Sequence, residues 1–447
     1  MKNISIVYNK LLKFDRFSLK SWMIDKLIKL VRDELEKVKD PRRINSKLEL
    51  PNLLNLSFSM FHLKDASLSS FREQYSVRSK NLEQVYGVNI LPGDTALRES
   101  IDKVLPSELQ AIFKPLLAFL KNQGVFKERH VLGEYTAVSV DGTGHYCSGV
   151  KGCPQCMVKN HRNGKTTYYH QLLGAVAVHP DQSTVFPVAC ESIVKQDGNT
   201  KNDCELNASK RIIPQIRAAL GDEKIIAIFD ALYINGPHIK ALIAENMSYI
   251  IGTKGQTYVD IQVEALRKKN QLQGLTWKRD GKKCIVNFAN GLILNGQHQE
   301  ILTNYFEYTE TEIKSGKQLF YSTWVTDVEI TQDNVQELVK IARSRWKIEN
   351  ETFNTLKNQG YHLEHNYGHG VQYLATNFAI LTFVAFLVDQ IAQHLDKDFQ
   401  AAKTVCKTFK SLWEKVRSIF YLLPTMSMNA VYRFIIKRQQ VKIPALE

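Results

Sequence analysis

Three carboxylates in this chain stand where the local sequence can bring them together. Asp141 closes the alternating run Tyr135-Thr-Ala-Val-Ser-Val, Asp230 closes the apolar run Ile225-Ile-Ala-Ile-Phe229, and Glu349 lies in Arg345-Trp346-Lys347-Ile348-Glu349 within a helical stretch. Two strand ends and a helix that converge can hold two Mg²⁺ (or Mn²⁺) ions about 4 Å apart. Such a pair activates an attacking oxygen and stabilises a departing one in an in-line displacement at phosphorus. Chemistry of this kind needs no covalent nucleophile from the protein.

Each residue also has a plainer reading. Asp141 precedes Gly142-Thr143-Gly144, a sequence that makes a turn exposing the carboxylate at a sheet edge. Arg345 and Glu349 are four apart, a spacing common in exposed helical ion pairs, but Trp346 and Ile348 beside them argue against a fully exposed face. At the helical period Glu351 points about 200° away from Glu349, so only one of the two can join the strand-end aspartates. Arg345 keeps the register of Glu349. Asn350 and Glu351 leave room for a slip, and Glu351 stays a rival third ligand.

A second constellation is Cys147, Cys153, Cys156 and His161, built on the knuckle Cys153-Pro-Gln-Cys156. Thiolates and an imidazole at this spacing can close a tetrahedral structural Zn²⁺ site, with His145 or His170 as substitutes for His161. Reduced thiols packed beside the Asp141 turn are the alternative. Cys190, Cys204, Cys284 and Cys406 show no ligand spacing. Seven cysteines with no export signal at the start of the chain argue against a disulfide framework.

Hydrophobic period outlines the elements that must position these groups. Residues 1–130 form a helical, basic region: Trp22, Met23, Leu27, Ile28, Leu30, Val31, Leu35 and Val38 recur at helical spacing until Pro41, and further helices are predicted over 67–86, 94–104 and 106–122. Over 131–256, three strands ending at Asp141, Val178 and Ala189 precede a helix over 203–220, a strand over 224–230, a helix over 237–245 and a strand over 249–252. That order gives a mixed α/β sheet. Residues 257–330 turn β-rich and read as an insertion folding as its own antiparallel lobe. Residues 331–370 carry the Glu349 helix, and 371–447 are helical. The apolar run Phe378 to Val388 is too short to cross a bilayer and reads as a buried helix, so no membrane partner is expected.

With 59 Lys+Arg against 45 Asp+Glu and a net charge of +14, the surface should favour a polyanion, most economically nucleic acid. A hydrophobic content of 44% excludes a disordered chain. The basic turn Lys159 to Lys165 can touch a phosphate backbone or be merely solvated. Tyr321 and Trp324 can stack on an extruded base or pack in a core. Gln196-Asp197-Gly198 and Asp203-Cys204-Glu205 suggest only turns and helix capping.

Asp141-Gly-Thr-Gly, Phe229-Asp230 and Arg345-Trp346-Lys347-Ile348-Glu349, with Phe353 and Leu356-Lys357 after them, resemble the DDE transposases of the insertion-sequence 4 family. The spacing agrees, with 89 residues from Asp141 to Asp230 and 119 from Asp230 to Glu349. Two positions depart from the family pattern. Ala342 stands where it has Tyr, and Leu356 stands where it has Lys, with Lys357 one residue further on. The resemblance implies an RNase H-like core broken by a β-rich insertion and flanked by helical regions, the N-terminal one binding DNA. It also implies a transposase that nicks DNA at element ends, forms and resolves a hairpin, and joins the 3′ end to a target. Asp141, Asp230 and Glu349 would hold the metals, and Arg345 and Lys357 would contact phosphates near the scissile bond. The implied partners are DNA and a second copy of the chain on it, in a cytoplasmic, nucleoid-associated setting. Two other readings stay open: a metal-dependent nuclease or inactive remnant of the same fold, and a zinc-knuckle DNA-binding regulator without catalysis.

Overall fold

The computed structural model describes residues 23–43, 46–150, 152–193, 204–255, 257–425 and 427–438. The β-branched and aromatic runs form ten strands: β1 (Tyr135–Ser148), β2 (Met157–Asn160), β3 (Thr166–His179), β4 (Gln182–Ile193), β5 (Lys224–Phe229), β6 (Met247–Gly252), β7 (Gln273–Arg279), β8 (Lys282–Asn295), β9 (His298–Glu312) and β10 (Gln318–Thr326). All belong to one sheet in the order β2-β3-β1-β5-β6-β10-β9-β8-β7, with β4 also paired to β3. β1, β5 and β6 run parallel, while β3 is antiparallel to β1 and β4 is antiparallel to β3. This is the mixed core expected from the sequence. β5 is buried from Ile225 to Phe229, as a central parallel strand covered on both faces should be.

Two expectations change. The insertion is antiparallel, but it is not a self-contained lobe: β10 pairs with β6 through Trp324–Gly252, Val325–Ile251 and Thr326–Ile250, so its strands extend the core sheet. Pairing in this way covers the exposed edge that β6 would otherwise present. Nor are the N- and C-terminal helical regions separate. Helix Leu374–Leu395 is buried without a break from Asn377 to Ala392 and so is surrounded. Helices Met23–Leu35, Leu50–His62, Asp94–Asp102, Pro106–Gln110 and Phe113–Asn122 pack against it. By length and composition it could cross a bilayer, but here it is buried inside the protein.

Polar contacts fix this helix between the two ends of the chain. Asp102 accepts hydrogen bonds from the N–H groups of Val371, Gln372, Tyr373 and Leu374 at 2.9–3.0 Å, capping its first turn. Lys64 Nζ meets Asp389 Oδ2 at 2.5 Å, with both groups buried, and Tyr361 Oη donates to the same oxygen at 2.6 Å. A buried carboxylate tolerates this position only because charge and hydrogen bonds compensate it.

Candidate active site

β1 and β5 stay paired up to Ser139 and Ile228. Two residues beyond that point each strand carries its carboxylate, Asp141 on one and Asp230 on the other. β1 does not turn at Asp141, as the following glycines suggested. It continues to Ser148, paired with β3 except for a bulge at His145. Glycine serves close approach at Gly142 and at Gly174 instead. Gly174, directly opposite Asp141 on β3, admits the Phe353 ring, whose Cε1 would lie 3.0 Å from a Cβ there. Gly142 faces the other side, where a Cβ would stand 2.8 Å from Glu205 Cδ.

The Glu349 segment reaches Asp141 from the Gly174 face. Helix Val335–Arg343 leads into a π-helical stretch, Ile348–Phe353, and then into Asn354–Asn358. Ser139 Oγ donates to the Arg345 carbonyl at 3.1 Å and so ties this segment to β1. Arg345 then spans two carboxylates, with Nη1 2.5 Å from Asp141 Oδ2 and Nη2 2.6 Å from Glu349 Oε1. Burial pushes the Asp141 carboxyl up to about 6; Arg345 and the Gly142 N–H oppose the rise and Glu349 adds to it. Asp230 accepts from Leu232 N at 2.8 Å, which fixes its carboxylate at the end of β5.

Glu205 is a fourth carboxylate that the sequence reading left as a helix cap. It opens helix Glu205–Leu220, and Tyr233 Oη donates to its Oε2 at 3.4 Å. Burial, and then the neighbouring Asp230, raise its pKa. The available signal was topological. A third antiparallel strand returns the chain to the Asp141 end of the sheet, so the next helix must start beside the site. Residues 196–198 and Asp203, also assigned to turns and capping, lie outside the described residues.

Lys357 forms an ion pair with Glu364 at 2.9 Å. Its position one residue late has a local cause, because a π turn spends an extra residue before regular helix resumes. Lys347 donates to the Gln182 carbonyl at 2.6 Å and is structural. Of the two insertion aromatics, Trp324 is buried and stacked on Phe306, so it is a core residue; Tyr321 is half-exposed, with its hydroxyl on Glu307.

The cysteine constellation is corrected in half its members. Cys147 pairs across the ladder with Tyr169, so strand alternation turns it to the face opposite His170 and leaves it exposed. His161 sits in the exposed β2–β3 hairpin turn, bonded to Thr167 Oγ1 at 2.8 Å. Cys153 and Cys156 are joined instead by His170 and by His369, which no spacing rule connects to them.

A family model described as Transposase DDE domain matches residues 132–387, a span that includes Asp141, Glu205, Asp230 and Glu349. No curated protein matches the chain. Among solved structures, the chain is similar to the piggyBac transposase synaptic complex with hairpin DNA, seen by cryo-electron microscopy. The likeness has 11% identity and a TM-score of 0.42 over 97% of this chain and 84% of that one. The family match takes in more than half of the chain, which belongs to the DDE transposases, metal-dependent enzymes that cleave DNA strands and transfer them to new sites.

Proposed function

We propose that the chain is a transposase of the insertion-sequence 4 family whose two Mg²⁺ or Mn²⁺ ions are held by Asp141, Asp230 and Glu349. The observation that carries this reading is the single guanidinium of Arg345 shared by Asp141 and Glu349, at the sheet end where Asp230 also projects. The donor set fits hard divalent cations, being carboxylate oxygen throughout. When bound, the ions supply activation of the attacking oxygen and charge neutralisation at the departing one.

The chain's own residues perform the remaining work. Arg345 keeps two like charges together, fixed through its carbonyl to Ser139. Phe353 and the helices over the sheet bury the Asp141 side of the crevice, which strengthens electrostatic interactions with a phosphate. Arg345 and Lys357 supply positive charge toward the DNA backbone, and the exposed turn Lys159 to Lys165 extends that surface. Attack comes from water or a DNA 3′-hydroxyl, with a hairpin as the intermediate DNA form, and two copies of the chain act on paired element ends.

The test is cleavage and strand transfer on the native element ends, with binding measured in parallel. Asp141→Asn, Asp230→Asn and Glu349→Gln should each lose cleavage and joining while retaining DNA binding. Mg²⁺-dependent cleavage surviving in any of the three would refute the ligand assignment.

A further inference from the structure

A second group of donor atoms lies apart from the four carboxylates. Cys153 and Cys156 in the β1–β2 loop, His170 on β3 and His369 in the segment before Leu374 each offer one ligand atom, all within 4.8 Å of one another. The two sulfurs are 3.5 Å apart, and His170 Nε2 is 3.3 Å from each. His369 Nδ1 is 3.3 Å from His170 Nε2 and 3.9 Å from Cys156 Sγ. We propose that these four side chains bind one structural Zn²⁺.

The edges of the cluster carry the argument. With Zn–S near 2.3 Å and Zn–N near 2.0–2.1 Å, the corners of a tetrahedron stand about 3.8 Å apart for two sulfurs, about 3.5 Å for a mixed pair and about 3.4 Å for two nitrogens. Five of the six edges stand at 3.3–3.9 Å, close to those values, and the sixth, between Cys153 and His369, lies within 4.8 Å. A disulfide would bring the sulfurs to about 2.05 Å. The backbone supports the knuckle: Cys153 N–H donates to Cys156 Sγ at 3.2 Å, a bond that favours thiolate, and Cys156 N–H returns to the Cys153 carbonyl at 3.0 Å. Four protein ligands leave no open position, so the site is structural rather than catalytic. A soft S₂N₂ set selects Zn²⁺, whereas the carboxylates nearby select Mg²⁺ or Mn²⁺, and the two sites do not compete for one metal.

The placement also states what the ion does. His170 and His369 are 199 residues apart. His170 lies on the β1–β3 ribbon that carries Asp141, and His369 lies on the segment that leaves the Glu349 helix. The ion therefore ties these two parts of the chain together. Beside it the Tyr146 ring stands edge-on to His369 at 3.8 Å between centroids, while Tyr361, Leu363 and Tyr367 earlier in the segment are buried in the core.

The experiment is metal analysis of the full chain purified under reducing conditions, followed by reconstitution with Co²⁺. About one Zn²⁺ per chain is expected. Co²⁺ should give the intense visible bands of a tetrahedral ion and a thiolate charge-transfer band. Cys153→Ser should abolish both. Should that variant fail to fold, His369→Ala keeps three ligands and should weaken Zn²⁺ binding by about tenfold or more. It should also raise amide exchange across residues 361–373. Cys147→Ser and His161→Ala should keep full metal content. Folded protein that contains no zinc and takes up no Co²⁺, a Cys153–Cys156 disulfide in its place, or zinc lost on changing Cys147 or His161 would each overturn the proposal.

Discussion

Glu205 lies against Gly142, where a Cβ would stand 2.8 Å from its Cδ, so the missing side chain makes room for Glu205 near Asp230. A glycine in mid-strand weakens the strand, and this one is tolerated because a carboxylate fills the space above it.

Gly142→Ala should therefore displace Glu205 and destabilise the protein by about 1–3 kcal/mol, the usual range for overpacking. Urea unfolding would measure it, and adding Glu205→Ala should restore most of the loss. Glu205→Gln alone should keep the fold and lower metal-dependent cleavage. Additive losses in the double variant would show that the two positions do not meet.

The third ligand separates Glu349 from Glu351. Glu349→Gln should reduce cleavage by about 10²–10³ or more, the scale of losing one preorganised charge at the reacting centre. Glu351→Gln should leave activity within a few-fold, since the guanidinium that meets Asp141 also meets Glu349. Reversal of the two outcomes would move the catalytic position two residues along.

Asp102→Ala removes the acceptor for four N–H groups at the start of helix Leu374–Leu395. A loss near 2 kcal/mol is expected, at the upper end for an N-cap because the site is largely buried. Asp102→Asn should recover part of it. A thermal midpoint unchanged by Asp102→Ala would contradict the capping role.

Stability should carry a pH signature from Asp25. Its carboxylate accepts from Met428 N at 2.7 Å and Asn429 N at 3.2 Å, yet burial outweighs these bonds and pushes its pKa up to about 6. The folded state thus favours the protonated form. Its contribution is complete below the unfolded value of 3.8 and is lost as pH rises through about 6. The difference corresponds to about 3 kcal/mol. In Asp25→Asn this loss should vanish, so the variant should gain on the parent between pH 4 and 7 in denaturant midpoints. Parallel pH curves for the two proteins would count against it.

What the sequence made legible divides along range. The placement of Asp141 and Asp230 was readable because the apolar runs before them are local signals; the end of β1 was not, since that strand runs on to Ser148. The meeting of Glu349 with Arg345 was readable because the two stand one helical turn apart. The π turn at Ile348–Phe353 was not, since it answers to packing of Phe353 over Gly174 rather than to any local preference. The same turn accounts for Lys357 falling one residue late. Helix Leu50–His62 escaped for another reason: it is buried on nearly all sides and shows no amphipathic period. His369 could not be paired with Cys153 and Cys156 from spacing, because the fold alone brings it there. Cys147 and His161 were the closer candidates in sequence, and strand alternation and a hairpin turn carry them away.

The helix Leu374–Leu395 sets a delay during synthesis. Helices ending at Asn122 leave the ribosome with apolar faces whose partner ends at Leu395. At 5–20 residues per second that partner follows only after about 15–55 s. For that interval the helices between Met23 and Asn122 lack the helix around which they pack, and the sheet between must form around an unfinished shell. Nascent chains halted before Leu374 should accordingly be captured by chaperones or aggregate, and release of the chain past Leu395 should end that exposure.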